Sequence, residues 1–278
     1  MTAPGGPPAG PLSGRRALVC GSTQGIGRAC AFELARLGAR VTLVARDEAR
    51  LRAVSDEIAR LLAGQAGPEA DGRRPDYLRA DFAEPEAVRA VVAGHVERTG
   101  AIEILLNNTG GPPGGPIAAA TPESFLAAFT SHLICNQLLA QTLVPGMRER
   151  GYGRIINIVS TSVRQPIEGL GVSNTVRAAV SGWAKTLAGE VGPHGITVNN
   201  VLPGATATGR LRTLIQAKAR ALKVSEEEVE RRMKAEIPLG RFASPDEIAA
   251  AVGFLATPAA SYITGISLPV DGGRIACL

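Results

Sequence analysis

Eight residues constrain this chain more than any others: Cys20-Gly21-Ser22-Thr23-Gln24-Gly25-Ile26-Gly27. They follow an apolar run, 16–19, that reads as a buried parallel strand. They precede a segment, 28–38, that reads as a helix closing on a C-terminal glycine. A second apolar strand, 40–45, follows at the spacing of a βαβ unit. In such a unit Gly21 permits the tight turn, Gly25 lets backbone N–H groups approach a pyrophosphate, and Gly27 lets the helix pack close to the strand. The helix N-terminus adds unsatisfied donors and partial positive charge. The plain alternative is a tight turn that binds nothing, and the strand–turn–helix–strand context argues against it.

The rest of the 278-residue chain repeats this alternation. With 45% hydrophobic residues it suits one α/β domain with a sizeable core. Helices are expected over 47–62, 84–98, 122–147, 173–191 and 208–236. Buried strands are expected over 77–80, 102–106, 154–159, 196–202 and 266–270. Ser244, followed by Pro245, caps a further helix. The pattern predicts a single doubly wound parallel sheet of the Rossmann type, spanning 14–278. The Pro/Gly/Ala-rich 1–13 reads as a flexible N-terminal tail, 64–75 as a surface loop, 111–116 as a rigid loop beside the cleft, and 208–240 as a substrate lid.

The net charge of +5 is spread along the chain, and no basic run with interleaved aromatics points to nucleic acid. The apolar runs are too short to span a membrane, and no secretion signal is read. Cys20, Cys30, Cys135 and Cys277 lack metal-ligand or redox spacing. They read as buried free thiols of a cytoplasmic protein, and no metal site is expected.

Five stretches in this order resemble the short-chain dehydrogenase/reductase family, in particular its 3-oxoacyl-carrier-protein-reductase-like members. The resemblance runs from about Gly14 to Gly273. Gly21–Gly27 is similar to the family's phosphate turn, in which Gly21, Ser22, Gln24, Gly25, Ile26 and Gly27 would hold the cofactor. Asp81 stands where the family binds adenine. Asn107-Asn108-Thr109-Gly110 resembles the family's Asn-Asn-Ala-Gly, which implies a cofactor role for Asn108 and Gly110. Pro203-Gly204 with Thr208 resembles the turn at the nicotinamide end, and 270–273 resembles a terminal strand that often lies at a subunit interface. The resemblance also implies a homo-oligomer, expected to be a tetramer paired through the long apolar helices.

The end of the second strand decides the cofactor. NAD-preferring members carry an acidic residue there; this chain has Ala45 followed by Arg46. Loss of the carboxylate removes repulsion against a 2′-phosphate, and a guanidinium can pair with it. NADP(H) is therefore expected. Asp47 reads as a helix cap.

The resemblance breaks at the chemistry, for which the family uses Asn, Ser, Tyr and Lys. Ser160 keeps the serine position. Spacing places Ser173 at the tyrosine, Arg177 at the lysine and His132 at the asparagine, with Asn136 one helical turn later. A serine hydroxyl is far less acidic than a phenol of pKa about 10. Arg177 keeps its proton, yet it can bind ribose hydroxyls and stabilise an oxyanion. His132 is the candidate replacement acid, against the plainer reading that it packs or caps a carbonyl on its helix. His95 and His194 read as surface residues. Two functions follow: an NADP(H)-dependent oxidoreductase acting on a small carbonyl/alcohol pair, or a non-catalytic NADP(H)-binding sensor or partner subunit.

Overall fold

The computed structural model describes residues 10–64 and 74–277. Its centre is one seven-stranded, fully parallel sheet in the order β3-β2-β1-β4-β5-β6-β7. The strands are β1 (Arg16–Cys20), β2 (Arg40–Ala45), β3 (Asp76–Arg79), β4 (Ile104–Asn107), β5 (Gly153–Ile158), β6 (Ile196–Pro203) and β7 (Ser267–Val270). Every residue of β4, β5 and β6 is buried, the signature of strands covered on both faces. Chain order reverses between β1 and β4, which opens a crevice at their carboxyl ends. The expected Rossmann-type sheet is thus the one observed.

Two layers of helices cover the sheet, and alternate strand residues feed each. On one face Val19, Ile104 and Leu106 pack with α1 (Gly25–Arg36), α2 (Glu48–Gly64) and a late helix, Pro245–Ala256. On the other, Leu18, Leu105 and Ile155 pack with α3 (Pro85–Thr99), α5 (Cys135–Glu149) and α6 (Gly171–Val191). A short α4 (Pro122–Phe129) precedes α5. Two further helices, α7 (Gly209–Leu222) and α8 (Glu226–Ala235), lead to α9, the Pro245–Ala256 helix already met. Ser244 caps its start as expected, and the structure adds a reciprocal capping box with Glu247.

The structure corrects five expectations. Of the tail expected over 1–13, residues 1–9 lie outside the described residues. Residues 10–13 belong to the fold: Leu12 is fully buried and its N–H donates to Leu37 O at 2.9 Å. Most of the expected 64–75 loop likewise lies outside the described residues. The 122–147 helix is two helices joined by a π-helical segment, Thr130–Ile134. The 208–236 helix is split at Lys223, whose φ of 54° is a left-handed stop. His95 is buried rather than on the surface, 3.0 Å from Thr42 Oγ1. Cys20, Cys30 and Cys135 are buried as expected, but Cys277 is exposed. Among the described residues no helix is long and apolar enough to cross a membrane.

A polar ladder crosses the inside of the sheet. Asn107, Asn157 and Asn200 stand in register on β4, β5 and β6. Asn107 Nδ2 donates to Asn157 Oδ1 at 2.8 Å, and Asn157 Nδ2 to Asn200 Oδ1 at 2.9 Å. Asn200 Nδ2 continues to Ser267 Oγ on β7 at 3.2 Å. Removing the middle rung strands a donor and an acceptor, each costing about 1–3 kcal/mol when buried. Asn157→Ala is therefore expected to lower the unfolding free energy by at least ~2 kcal/mol in urea titration. The exposed Thr175→Ala should shift it by no more than about 0.5 kcal/mol; equal effects would show that the ladder contributes nothing specific.

Candidate functional site

The turn 21–27 crosses the crevice between β1 and β4. Gly21 and Gly25 have φ of 59° and 53°, where a side chain is strained. Space excludes one as well: a Cβ on Gly21 would lie 2.6 Å from Asn108 O, and one on Gly27 would lie 2.2 Å from Gly21 O. Asn108 Nδ2 donates to Cys20 O at 3.2 Å and Gly21 O at 3.3 Å, tying the end of β4 to the turn. Ser22 is buried, its hydroxyl donating to Val44 O at 3.4 Å, and Ile26 packs on the core below.

Gln24 occupies the N-cap of α1 in extended conformation and makes no side-chain bond to the first turn. By contrast Thr121, Thr208, Ser225 and Ser244 each cap the helix that follows. The first N–H groups of α1 therefore remain open to an anion, at the place where the glycines let one approach. These residues fit a dinucleotide diphosphate.

The other expected cofactor positions surround the same crevice. Arg46 is exposed just beyond β2, its Nη1 3.8 Å from Asp81 Oδ2, and Asp81 Oδ1 accepts Ala83 N–H at 3.0 Å. Asp47 Oδ1 accepts Arg50 N–H at 3.0 Å, the helix cap expected of it. Open space lies above Gly110. Pro203 ends β6, and a Cβ on Gly204 would meet Asp271 Cα at 2.8 Å. Thr208 caps α7, and its methyl would lie 3.3 Å from a Cβ on Gly25, so α7 starts against the glycine turn.

The expected catalytic residues cluster at the carboxyl end of β5. Ser160 begins a single 3₁₀ turn, its Oγ accepting Ser162 N–H at 3.1 Å. Ser173, on the first turn of α6, is buried. Arg177, one turn later, donates from Nε to Ser173 Oγ at 3.1 Å and from Nη1 to Ile158 O and Val159 O at 3.1 and 2.7 Å. Burial and the nearby Arg210 lower its guanidinium to about 10, so it remains charged at neutral pH.

His132, the expected replacement acid, is held in surroundings that favour its neutral form. It sits buried in the π-helical segment, with Nδ1 2.8 Å from Thr109 Oγ1. Burial first, then the charge of Arg177, lowers its pKa to about 3, while its bond to the Gly110 backbone acts the other way. The ring is neutral near pH 7 and has no proton to give as an imidazolium. Asn136 lines the same small cavity as His132, Asn107, Thr109 and Arg177. Two contributions are not legible from the motifs: the pairing of the Thr109 hydroxyl with His132, and Arg210 on α7. Arg210 Nη2 donates to Pro112 O at 2.7 Å, and nothing in the charged 208–236 run distinguishes it from its neighbours.

The model of the family described as enoyl-(acyl carrier protein) reductase matches residues 21–274. The chain is 37% identical over 262 residues to a Streptomyces coelicolor protein named as a candidate ketoacyl reductase, covering 92% of this chain and 95% of the relative. It is 32% identical to the 3-oxoacyl-[acyl-carrier-protein] reductase of Vibrio cholerae, covering 94% and 98%. Among solved structures, L-sorbose reductase from Gluconobacter frateurii, complexed with NADPH and L-sorbose, superposes with a TM-score of 0.86 at 33% identity. That match covers 96% of this chain and 98% of the other.

The neutral His132 links stability to pH. The unfolded chain takes up a proton on this residue below about pH 6.5, whereas the folded protein does so only near pH 3. Its contribution is therefore full above pH 6.5 and is lost as pH falls toward 3. Between pH 6.5 and 5 the wild-type protein should lose ~2 kcal/mol more than His132→Asn, by urea unfolding at each pH. Parallel pH dependences would mean that the ring is protonated in the fold.

Proposed function

The chain belongs to the short-chain dehydrogenase/reductase family, and on that premise we propose that it is an NADP(H)-dependent oxidoreductase acting on a small carbonyl/alcohol pair in the cytoplasm. The observation that carries the cofactor reading is the uncapped N-terminus of α1 beneath the cramped Gly21–Gly27 turn, at the switch point of the sheet. Gly21, Ser22, Gln24, Gly25, Ile26 and Gly27 hold the diphosphate. Asp81, Asn108 and Gly110 line the adenosine side and the floor. Arg46 takes the 2′-phosphate by leaving its long contact with Asp81. Pro203, Gly204 and Thr208 bound the nicotinamide end.

When bound, the nicotinamide supplies or accepts the hydride. In our reading Ser173 and Arg177 stand in the positions of the family's Tyr and Lys. Ser160 orients the substrate carbonyl. Arg177, held rigidly by Ser173 and two β5-end carbonyls, keeps Nη2 free to stabilise negative charge on that oxygen. With His132 neutral, the proton comes from water rather than from an imidazolium. A second reading, a non-catalytic NADP(H)-binding sensor or partner subunit, draws support from the same fact: α6 carries no tyrosine.

The test begins with fluorescence titration of both cofactors. Arg46→Ala should weaken NADPH about tenfold or more, the worth of a charge-assisted bond, while NADH binding stays within about threefold. Equal losses would reject the assignment. NADPH oxidation should then be measured against a panel of carbonyls. If NADPH binds and nothing is reduced, while Ser173→Tyr with Arg177→Lys creates activity, the non-catalytic reading holds.

We further propose a homotetramer. α4 and the π-helical segment leave Leu126 and Ile134 exposed on the single chain, apolar area that a partner helix would cover. Light scattering at micromolar concentration should give four times the chain mass, and a monomer mass would end the idea.

A further inference from the structure

Two positive side chains from different elements meet over Gly111, just past the loop that ends β4. A Cβ on Gly111 would lie 3.4 Å from Arg177 Nη2, 3.7 Å from Arg210 Nη2 and 3.9 Å from Arg210 Nε. Arg177 comes from α6 and Arg210 from the first turn of α7. Every hydrogen bond these two make within the described residues runs to a neutral group: the Ser173 hydroxyl, the carbonyls of Ile158 and Val159, and the carbonyl of Pro112. Arg177 Nη2, Arg210 Nη1 and Arg210 Nε are left as donors.

Like charges gathered this way repel one another, and the repulsion grows where water is excluded. Elsewhere on the surface, arginines are neutralised locally, as Arg241 is by Glu247 and Arg231 by Glu228. Here the loop 111–116 contains only Gly and Pro, and Glu168, the acidic residue between 161 and 171, pairs with neither arginine within the described residues. The geometry is also fixed. Gly115 N–H donates to Gly169 O at 2.7 Å and Gly171 N–H to Gly115 O at 3.2 Å, which joins the 111–116 loop to the start of α6. Arg210 is anchored to the same loop through Pro112 O. Two guanidinium forks with free N–H groups, held on one side of the cleft without a counter-charge, match a carboxylate.

We propose that Arg177 and Arg210 form a carboxylate seat, and that the substrate is an oxo acid whose carboxylate lies one or two carbons from the reacting carbonyl. The short separation follows from Arg177, which serves the seat and also neighbours Ser173 and the end of β5 beside Ser160. In the reduction the ketone carbon gains a hydride supplied by NADPH and the oxygen gains a proton from water. The carboxylate is unchanged. The oxo-acid assignment rests on the reductase reading above; the seat itself requires no turnover.

The test uses unreactive analogues, so that it is independent of catalysis. Oxamate and malonamate, and the uncharged ethyl ester of each, are titrated calorimetrically into the full-length protein with and without saturating NADP⁺. At least one acid should bind 30-fold or more tighter than its ester. Arg210 is exposed, so Arg210→Met should fold normally. It should reduce that preference below threefold, with Arg210→Lys intermediate and NADPH affinity within threefold of wild type. Esters binding as well as acids would overturn the proposal. So would Arg210→Met weakening NADPH as much as it weakens the acid, since the cofactor diphosphate would then be the anion served. Acid preference in a protein that reduces no carbonyl would support the seat and remove only the reductase reading.

Discussion

The contact on which the site depends is the close approach of three backbone segments at Gly21. The carbonyl of Gly21 lies so near Gly27 that a Cβ there would be 2.2 Å away, and Asn108 reaches across from β4 to bond the same carbonyl. This brings the start of α1 against the carboxyl ends of β1 and β4, where the strand order reverses. The open donors of α1 face the crevice because nothing larger than glycine separates them from it. Thr208, close against Gly25, brings the start of α7 to the same point.

A second constraint is the handling of polar groups inside the sheet. Three asparagines on fully buried strands bond to one another in a row, and the outermost, Asn107, whose Oδ1 has no partner among the described residues, borders the small cavity with His132 and Arg177. In this setting burial sets the charge states. It holds His132 neutral and leaves Arg177 charged only because a guanidinium starts from so high a pKa. Arg177 is thus positive and held by three hydrogen bonds, whereas His132 is a neutral partner of Thr109.

The sheet, its order of elements and the phosphate turn were legible in the chain because each rests on local periodicity or on glycine at a position of special backbone geometry. The Asp47 cap and the Ser244 cap were legible for the same reason: the groups that satisfy one another lie three residues apart. Expectations that depended on burial fared worse. His95 reads as a surface residue on a helix with mixed polarity, yet it packs inward against Thr42. Leu12 stands in a Pro/Gly-rich run, and only the position of Leu37 gives it a place in the core.

By itself, then, the sequence determined an α/β sheet with a dinucleotide turn, a cofactor preference readable from Ala45 and Arg46, and a helix over 173–191 that contains no tyrosine. Those are properties of residue type and spacing. Only the tertiary structure decided that His132 is neutral, because desolvation depends on what surrounds the ring and not on its neighbours in the chain. It also decided that Arg177 and Arg210, thirty-three positions apart, share one point above Gly111. A guanidinium's sequence context does not reveal which loop it will lean on, and electrostatic coupling follows distance in space.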